Sequence, residues 1–135
     1  MSEDLISLLE RPDTTVAIVG ATDNPAKFGN IIYKDLKRKG FRLFPVNPHR
    51  KIVEHDQAYP SLAEIPQKPT IVDFVVPPAV TLASLRQCLD LELMNVWLQP
   101  GTTNPAVMDF LQQNNFNYLI ACIMVKTRFI ARNKT

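Results

Sequence analysis

The residues best suited to chemistry in this sequence stand just after short apolar runs. Gly20-Ala21-Thr22 follows one such run, and Gly29-Asn30 opens a segment with helical spacing a few residues later. A glycine lets the chain turn sharply at a strand's end. The amino end of a helix adds free backbone N–H groups and the positive end of its dipole. Such a pairing suits an anion, a phosphate above all. The spacing matches neither G-x-G-x-x-G nor G-x-x-x-x-G-K-[ST], so the usual dinucleotide and P-loop fingerprints are both absent. A plain strand-to-helix turn accounts for the same residues.

A second group lies beyond the next apolar run, where Asn47-Pro48 precedes His49, Arg50 and Lys51. A site for NAD wants an Asp or Glu at this point to accept hydrogen bonds from the ribose hydroxyls. The asparagine disfavours it, while the cationic run suits a phosphate on the ribose. A solvated surface turn is the competing reading. Val76-Pro77-Pro78 and Gln99-Pro100-Gly101 end two further apolar runs.

Other reactive side chains are sparse. Cys88 and Cys122 lack the paired spacing of a metal site and read as reduced thiols. Cys122, at the end of the last apolar run, would sit near any ligand bound at the strand ends; a small buried residue is the simpler reading. His49 and His55 share one loop, and Asp23 and Asp73 make no evident acid/base pair. Neither a catalytic set nor a metal site is expected.

The elements that must position these residues follow from hydropathy. Leu5, Ile6, Leu8 and Leu9 recur at helical spacing within 1–11, with Ser2 where a cap would stand. Residues 14–19 are β-branched and almost wholly apolar, the pattern of a strand covered on both faces. Over 28–39 the apolar stripe Phe28, Ile31, Ile32 and Leu36 predicts an amphipathic helix closed by Gly40. Strands are expected at 41–46, with Pro45 at the very end, and at 70–76, 95–99 and 117–121.

Residues 49–68 read as a loop packed on the sheet, with Leu62 and Ile65 anchoring one helical turn. Pro78 opens a helix whose buried side is Leu82, Leu85 and Leu89. Asn104 caps another, with Pro105 at its first position and Val107, Phe110 and Leu111 as its apolar stripe. Strands alternating with helices imply right-handed crossovers and one domain over 1–135: an α/β, doubly wound, five-stranded parallel sheet of Rossmann-like type.

Composition narrows the function. Apolar residues at 46% and charged residues at 21% describe a folding chain, and a net charge of +2 is too small to argue for nucleic acid or an anionic membrane. The basic residues of the 126–135 tail read as a solvated end. No run of about 18 apolar residues suggests a membrane span, and the acidic start does not read as a signal peptide, so a cytoplasmic protein is expected. Phe129 and Ile130 in the tail are candidates to pack on a partner, a second copy making a homodimer included.

Several of these motifs occur together in a known order: Gly20-Ala21-Thr22, Pro45-Val46-Asn47-Pro48, Tyr59-Pro60-Ser61-Leu62, Val76-Pro77-Pro78, and Val96-Trp97-Leu98-Gln99-Pro100-Gly101. From about Thr14 to Cys122 the chain resembles the CoA-binding domain family, which is similar to the N-terminal domain of the succinyl-CoA synthetase α subunit. The resemblance implies coenzyme A or acyl-CoA as cofactor, its pyrophosphate over Gly20, Ala21, Thr22 and Asn30. Asn47 and Pro48 would flank the adenosine. Lys51, with Arg50 as a substitute, would meet the nucleotide phosphate, and Val76, Pro77 and Pro78 would line the adenine or pantetheine. The chain departs from many relatives at Phe28, where a Ser-Tyr-Gly or Ser-x-Gly run is usual, and at Ala121, often an arginine. The expected function is a CoA-binding module without complete catalytic machinery. The alternatives are an NADP-dependent oxidoreductase or ligase-like subunit, and a ligand-free interaction domain.

Overall fold

The computed structural model describes residues 4–130. In chain order its elements are α1 (Leu5–Glu10), β1 (Thr15–Val19), α2 (Phe28–Arg38), β2 (Arg42–Val46), β3 (Ile52–Val53), β4 (Asp56–Gln57), a single 3-10 turn (Leu62–Glu64), β5 (Ile71–Phe74), α3 (Pro78–Asp90), β6 (Asn95–Leu98), α4 (Pro105–Gln113), β7 (Asn117–Ile120) and α5 (Ile123–Lys126). The main sheet runs β2-β1-β5-β6-β7 with every neighbouring pair parallel, and helices cover both faces. It is the Rossmann-like, doubly wound α/β sheet that the hydropathy pattern predicts.

β1 is buried along its whole length because its alternate residues serve two cores. Val16 and Ile18 join Leu8 and Leu9 of α1 and Ile32 and Leu36 of α2. Ala17 and Val19 face the other way, toward Leu85 of α3 and Val107 and Leu111 of α4. Trp97 of β6 is fully enclosed on the first face, and its indole N–H donates to the Ala121 carbonyl at 2.8 Å. That bond ties the carboxyl ends of β6 and β7 together, and burial of a side chain this large contributes about 2–3 kcal/mol.

Helix ends follow the sequence closely. Asn104 Oδ1 accepts from the Val107 N–H at 2.8 Å, with Pro105 first in the helix. Gly40, at φ +92°, takes the left-handed position after α2, and the Phe41 N–H reaches back to the Leu36 carbonyl at 3.1 Å. At α1 the cap is Asp4, whose Oδ1 accepts from the Ile6 N–H at 3.1 Å; Ser2 lies outside the described residues.

Four expectations are corrected. α2 does not bury Phe28 and Ile31, which are 45% and 47% exposed; it buries Gly29, Asn30, Ile32, Tyr33 and Leu36. The helix is rotated because Gly29 packs directly on the backbone of Gly20. On α3 the fully buried positions are Thr81, Leu85 and Cys88, while Leu82 and Leu89 are half-buried. Pro45 lies inside β2, paired with Ile18; the strand is at the sheet edge, where a missing N–H removes no ladder bond. In the tail Ile130 packs against the first core, whereas Phe129 is 89% exposed.

The 49–68 segment is more ordered than a loop. β3 and β4 form an antiparallel hairpin through Glu54 and His55, at φ 48° and 71°. Leu62 and Ile65 are buried around the 3-10 turn, as expected.

Candidate functional site

From β1 the chain first adds β2 on one side, then returns to add β5 on the other. The carboxyl ends of β1 and β5 therefore flank the point where strand order reverses, and a crevice opens there. Gly20 sits at its floor with φ +103°. A Cβ at this position would meet the Val75 carbonyl oxygen at 2.6 Å, so the two crossover chains approach as only glycine allows. Gly29 is tighter still: a Cβ would lie 2.0 Å from the Gly20 carbonyl oxygen. The amino end of α2 is thereby set against the turn after β1.

The crevice is a cleft of about 640 Å³. Its walls come from the turn after β1 and the start of α2 (Gly20, Thr22, Asn24, Lys27, Phe28, Gly29), from Asn47, His49 and Arg50 after β2, and from residues 75–78 after β5. Residues 99–102 after β6 complete it. Among the described residues that line it, none is acidic, and Lys27 and Arg50 bring two full positive charges. A side pocket of about 340 Å³ shares Gly20, Asn47, His49 and Val76 with it, and adds Pro48, Leu62 and Val80.

Helix capping supports an anion site. Lys27 and Pro77, at the N-cap positions of α2 and α3, both line the cleft and make no side-chain capping bond. The capping residues of α1 and α4, Asp4 and Asn104, do not line it, and both close their helices with side-chain oxygens. The first N–H groups of a helix have no intrahelical acceptor. In α2 the N–H groups of Phe28 and Gly29 stay available beside the cleft; in α3 only that of Ala79 does, because Pro78 has no N–H and the Val80 N–H donates to the Pro77 carbonyl at 3.0 Å. The adjoining turn is held by amide side chains: Asn47 Nδ2 donates to the Ala21 carbonyl at 2.9 Å, and Asn30 Nδ2 to the Thr22 carbonyl at 2.8 Å. A carbonyl engaged in this way has its negative end partly neutralised, which suits a turn that meets an anion.

Of the residues predicted for the site, Gly20, Thr22, Asn47, Arg50, Val76, Pro77 and Pro78 line the main cleft, and Pro48 the side pocket. Ala21 is buried in the first core, Asn30 is buried behind the turn, and Lys51 is exposed outside both pockets, its carbonyl accepting from Ala58 N–H at 2.9 Å. Sequence reasoning had not assigned Lys27, Phe28, Gln99 or Thr102 to the site. Gln99 stood among the strand-end motifs, a signal that could have placed it; Phe28 stood out only as a departure from the family's first-loop run, and Lys27 read only as a loop residue. Gln99 Oε1 accepts from the Ile123 N–H at 3.1 Å, while its Nε2 is buried without a partner among the described residues.

The reactive side chains outside the cleft are quiet. Burial pushes the Cys88 thiol up to about 12, which leaves it protonated and inert. Tyr33 is raised by burial and then by its hydrogen bond to Asp56, 2.5 Å away. Among the described residues no cluster of three or more His, Cys, Asp or Glu side chains is gathered for a metal. No helix there is long and apolar enough to cross a membrane.

Sheet order, crevice and helix ends define a Rossmann-like domain with an acid-free, cationic cleft at its switch point. Residues 14–128 match the CoA binding domain, and the chain belongs to that family. It is 34% identical over 74 residues, 54% of its length, to the α subunit of ADP-forming acetate–CoA ligase II from Pyrococcus furiosus, of which it spans only 16%. Among solved structures it is similar to a conserved hypothetical protein from Pyrococcus furiosus, with 40% identity and a TM-score of 0.80 over 84% of this chain and 99% of that one. A hypothetical protein from Pyrococcus horikoshii OT3 superposes with a TM-score of 0.82 at 27% identity, over 96% and 92% of the two chains.

Proposed function

We propose that the cleft binds coenzyme A or an acyl-CoA, and that the domain senses or presents this ligand without completing a reaction by itself. The observation behind this reading is the acid-free, cationic crevice with two uncapped helix ends at the switch point. Its donors match a diphosphate, and its apolar wall of Val76, Pro77 and Pro78 matches a pantetheine arm or a base. In this reading Gly20, Thr22 and the amino end of α2 meet the diphosphate. Arg50, with His49 beside it and Lys51 next in the chain, meets the phosphate on the ribose. Asn47 and Pro48, which bound the side pocket, flank the adenosine. Asn30 and Ala21 shape the turn from behind. The relation to the acetate–CoA ligase α subunit supports CoA over NADP as the ligand.

Thermal unfolding with and without ligand tests this. Coenzyme A at about 100 times its dissociation constant should stabilise the fold by roughly 2.7 kcal/mol. Dephospho-CoA should bind more weakly than coenzyme A, and NADP should give a smaller shift. The absence of any shift with millimolar coenzyme A would overturn the proposal.

A further inference from the structure

The β3–β4 hairpin does not line the main cleft, yet one residue at its tip bonds to the turn after β1 and to α2 through three different groups. The Glu54 N–H donates to Asp23 Oδ1 at 2.6 Å, directly beside Thr22. The Glu54 carboxylate accepts from Asn30 Nδ2 at 2.8 Å, and Asn30 Nδ2 also donates to the Thr22 carbonyl at 2.8 Å. The Glu54 carbonyl accepts from Lys37 Nζ at 2.6 Å, and the same ammonium pairs with Asp56 at 3.2 Å. Backbone donor, backbone acceptor and side chain of a single residue thus all reach the first loop or α2.

The hairpin is itself fixed on α2, since Tyr33 donates to Asp56 Oδ2 at 2.5 Å and Val53 is fully buried in the first core. Its incoming strand follows directly on Arg50 and Lys51, the cations after β2. Glu54 adopts φ +48°, a left-handed conformation uncommon for a glutamate and sustained here by these bonds. Nothing in a solvated hairpin requires a carboxylate at that position; the bond to Asn30 gives it a use.

We infer that Glu54 is a positioning residue: the hairpin braces the turn after β1 in its ligand-receiving shape through Glu54–Asn30–Thr22 and Glu54–Asp23, and so links the two phosphate-binding segments. This rests on the CoA-binding reading above. The effect requires an acceptor oxygen at Glu54 rather than its charge, because the partner is a neutral amide.

The test is calorimetric titration of coenzyme A into wild type, Glu54→Ala, Glu54→Gln, Asn30→Ala and the Asn30→Ala/Glu54→Ala double variant, each with its unliganded thermal midpoint. Loss of the acceptor should weaken binding by up to about tenfold in Glu54→Ala, the scale of one lost hydrogen bond. Glu54→Gln, which keeps an acceptor, should bind within about twofold of wild type. The double variant should bind no more weakly than Asn30→Ala, as expected for residues acting in series. Wild-type affinity in Glu54→Ala, equal losses in the Ala and Gln variants, or multiplying losses in the double variant would each overturn the brace while leaving the CoA reading intact. A wild type that does not bind coenzyme A would remove both. If Glu54→Ala does not fold, Lys37→Met, which releases the same tip from its exposed side, must weaken binding measurably for the brace to stand.

Discussion

Among the described residues Asp73 is the one fully buried carboxylate, set inside the main sheet. It pairs in register with Ile18 and Trp97, is fully buried, and neither oxygen finds a hydrogen-bond partner among the described residues. Burial pushes its carboxyl well above the usual range, opposed in part by the nearby Phe74 N–H, which lies outside hydrogen-bond geometry. Below about pH 4 the group is protonated in both folded and unfolded chains. As pH rises, the unfolded chain releases the proton while the folded one keeps it, so stability falls until the folded carboxyl also ionises. Asp73→Asn lacks this linkage. Denaturant unfolding at pH 4, 5.5 and 7 should therefore show stability shifting in favour of the variant as pH rises, at a limiting rate of about 1.4 kcal/mol per pH unit. A constant difference between the two proteins would contradict the assignment of a neutral buried acid.

At the scale of elements, the docking of α2 on the turn after β1 depends on one missing Cβ. Alanine at position 29 gains about 1 kcal/mol of helix propensity over glycine, but its Cβ would fall 2.0 Å from the Gly20 carbonyl oxygen, so the backbone must shift. Overpacking of this kind costs about 1–3 kcal/mol. Gly29→Ala should therefore lower the unfolding midpoint despite the better helix former, and should weaken coenzyme A binding because the helix end moves off the cleft. An unchanged midpoint would show that the contact relaxes freely. The same contact explains why the apolar stripe misjudged the helix face. Phe28 and Ile31 belong to the stripe by spacing, but the approach of Gly29 to Gly20 turns Tyr33 inward and leaves both exposed. The β3–β4 hairpin was illegible for a related reason: its tip uses Glu54 and His55 at positive φ, where a hairpin signal would be Asn or Gly.

For the whole molecule, net charge is a poor guide to the cleft. The chain carries only +2, yet the described lining has Lys27 and Arg50 and no acid. Such local fields act over about 8 Å at physiological ionic strength. Raising salt from 0.05 to 0.5 M should accordingly weaken coenzyme A binding by roughly tenfold, measured by titration at fixed pH. Salt-independent affinity would mean that the cations do not face the ligand.

The five strands of the main sheet, the order of α1 to α4 among them, the caps at Asn104 and Gly40 and the doubly wound class were readable from sequence, because each depends on residues within a few positions of one another; the β3–β4 hairpin and α5 were not. The strand-end motifs also gave most of the residues that line the cleft, since in a parallel sheet every carboxyl end lies on one side. Which of them meet was decided only by tertiary structure. Local periodicity describes a helix about its own axis; its rotation against the sheet is set by the shape of distant neighbours. That is why Ala21 and Asn30 stand behind the turn, Lys51 outside it, and Lys27 and Gln99 in the wall.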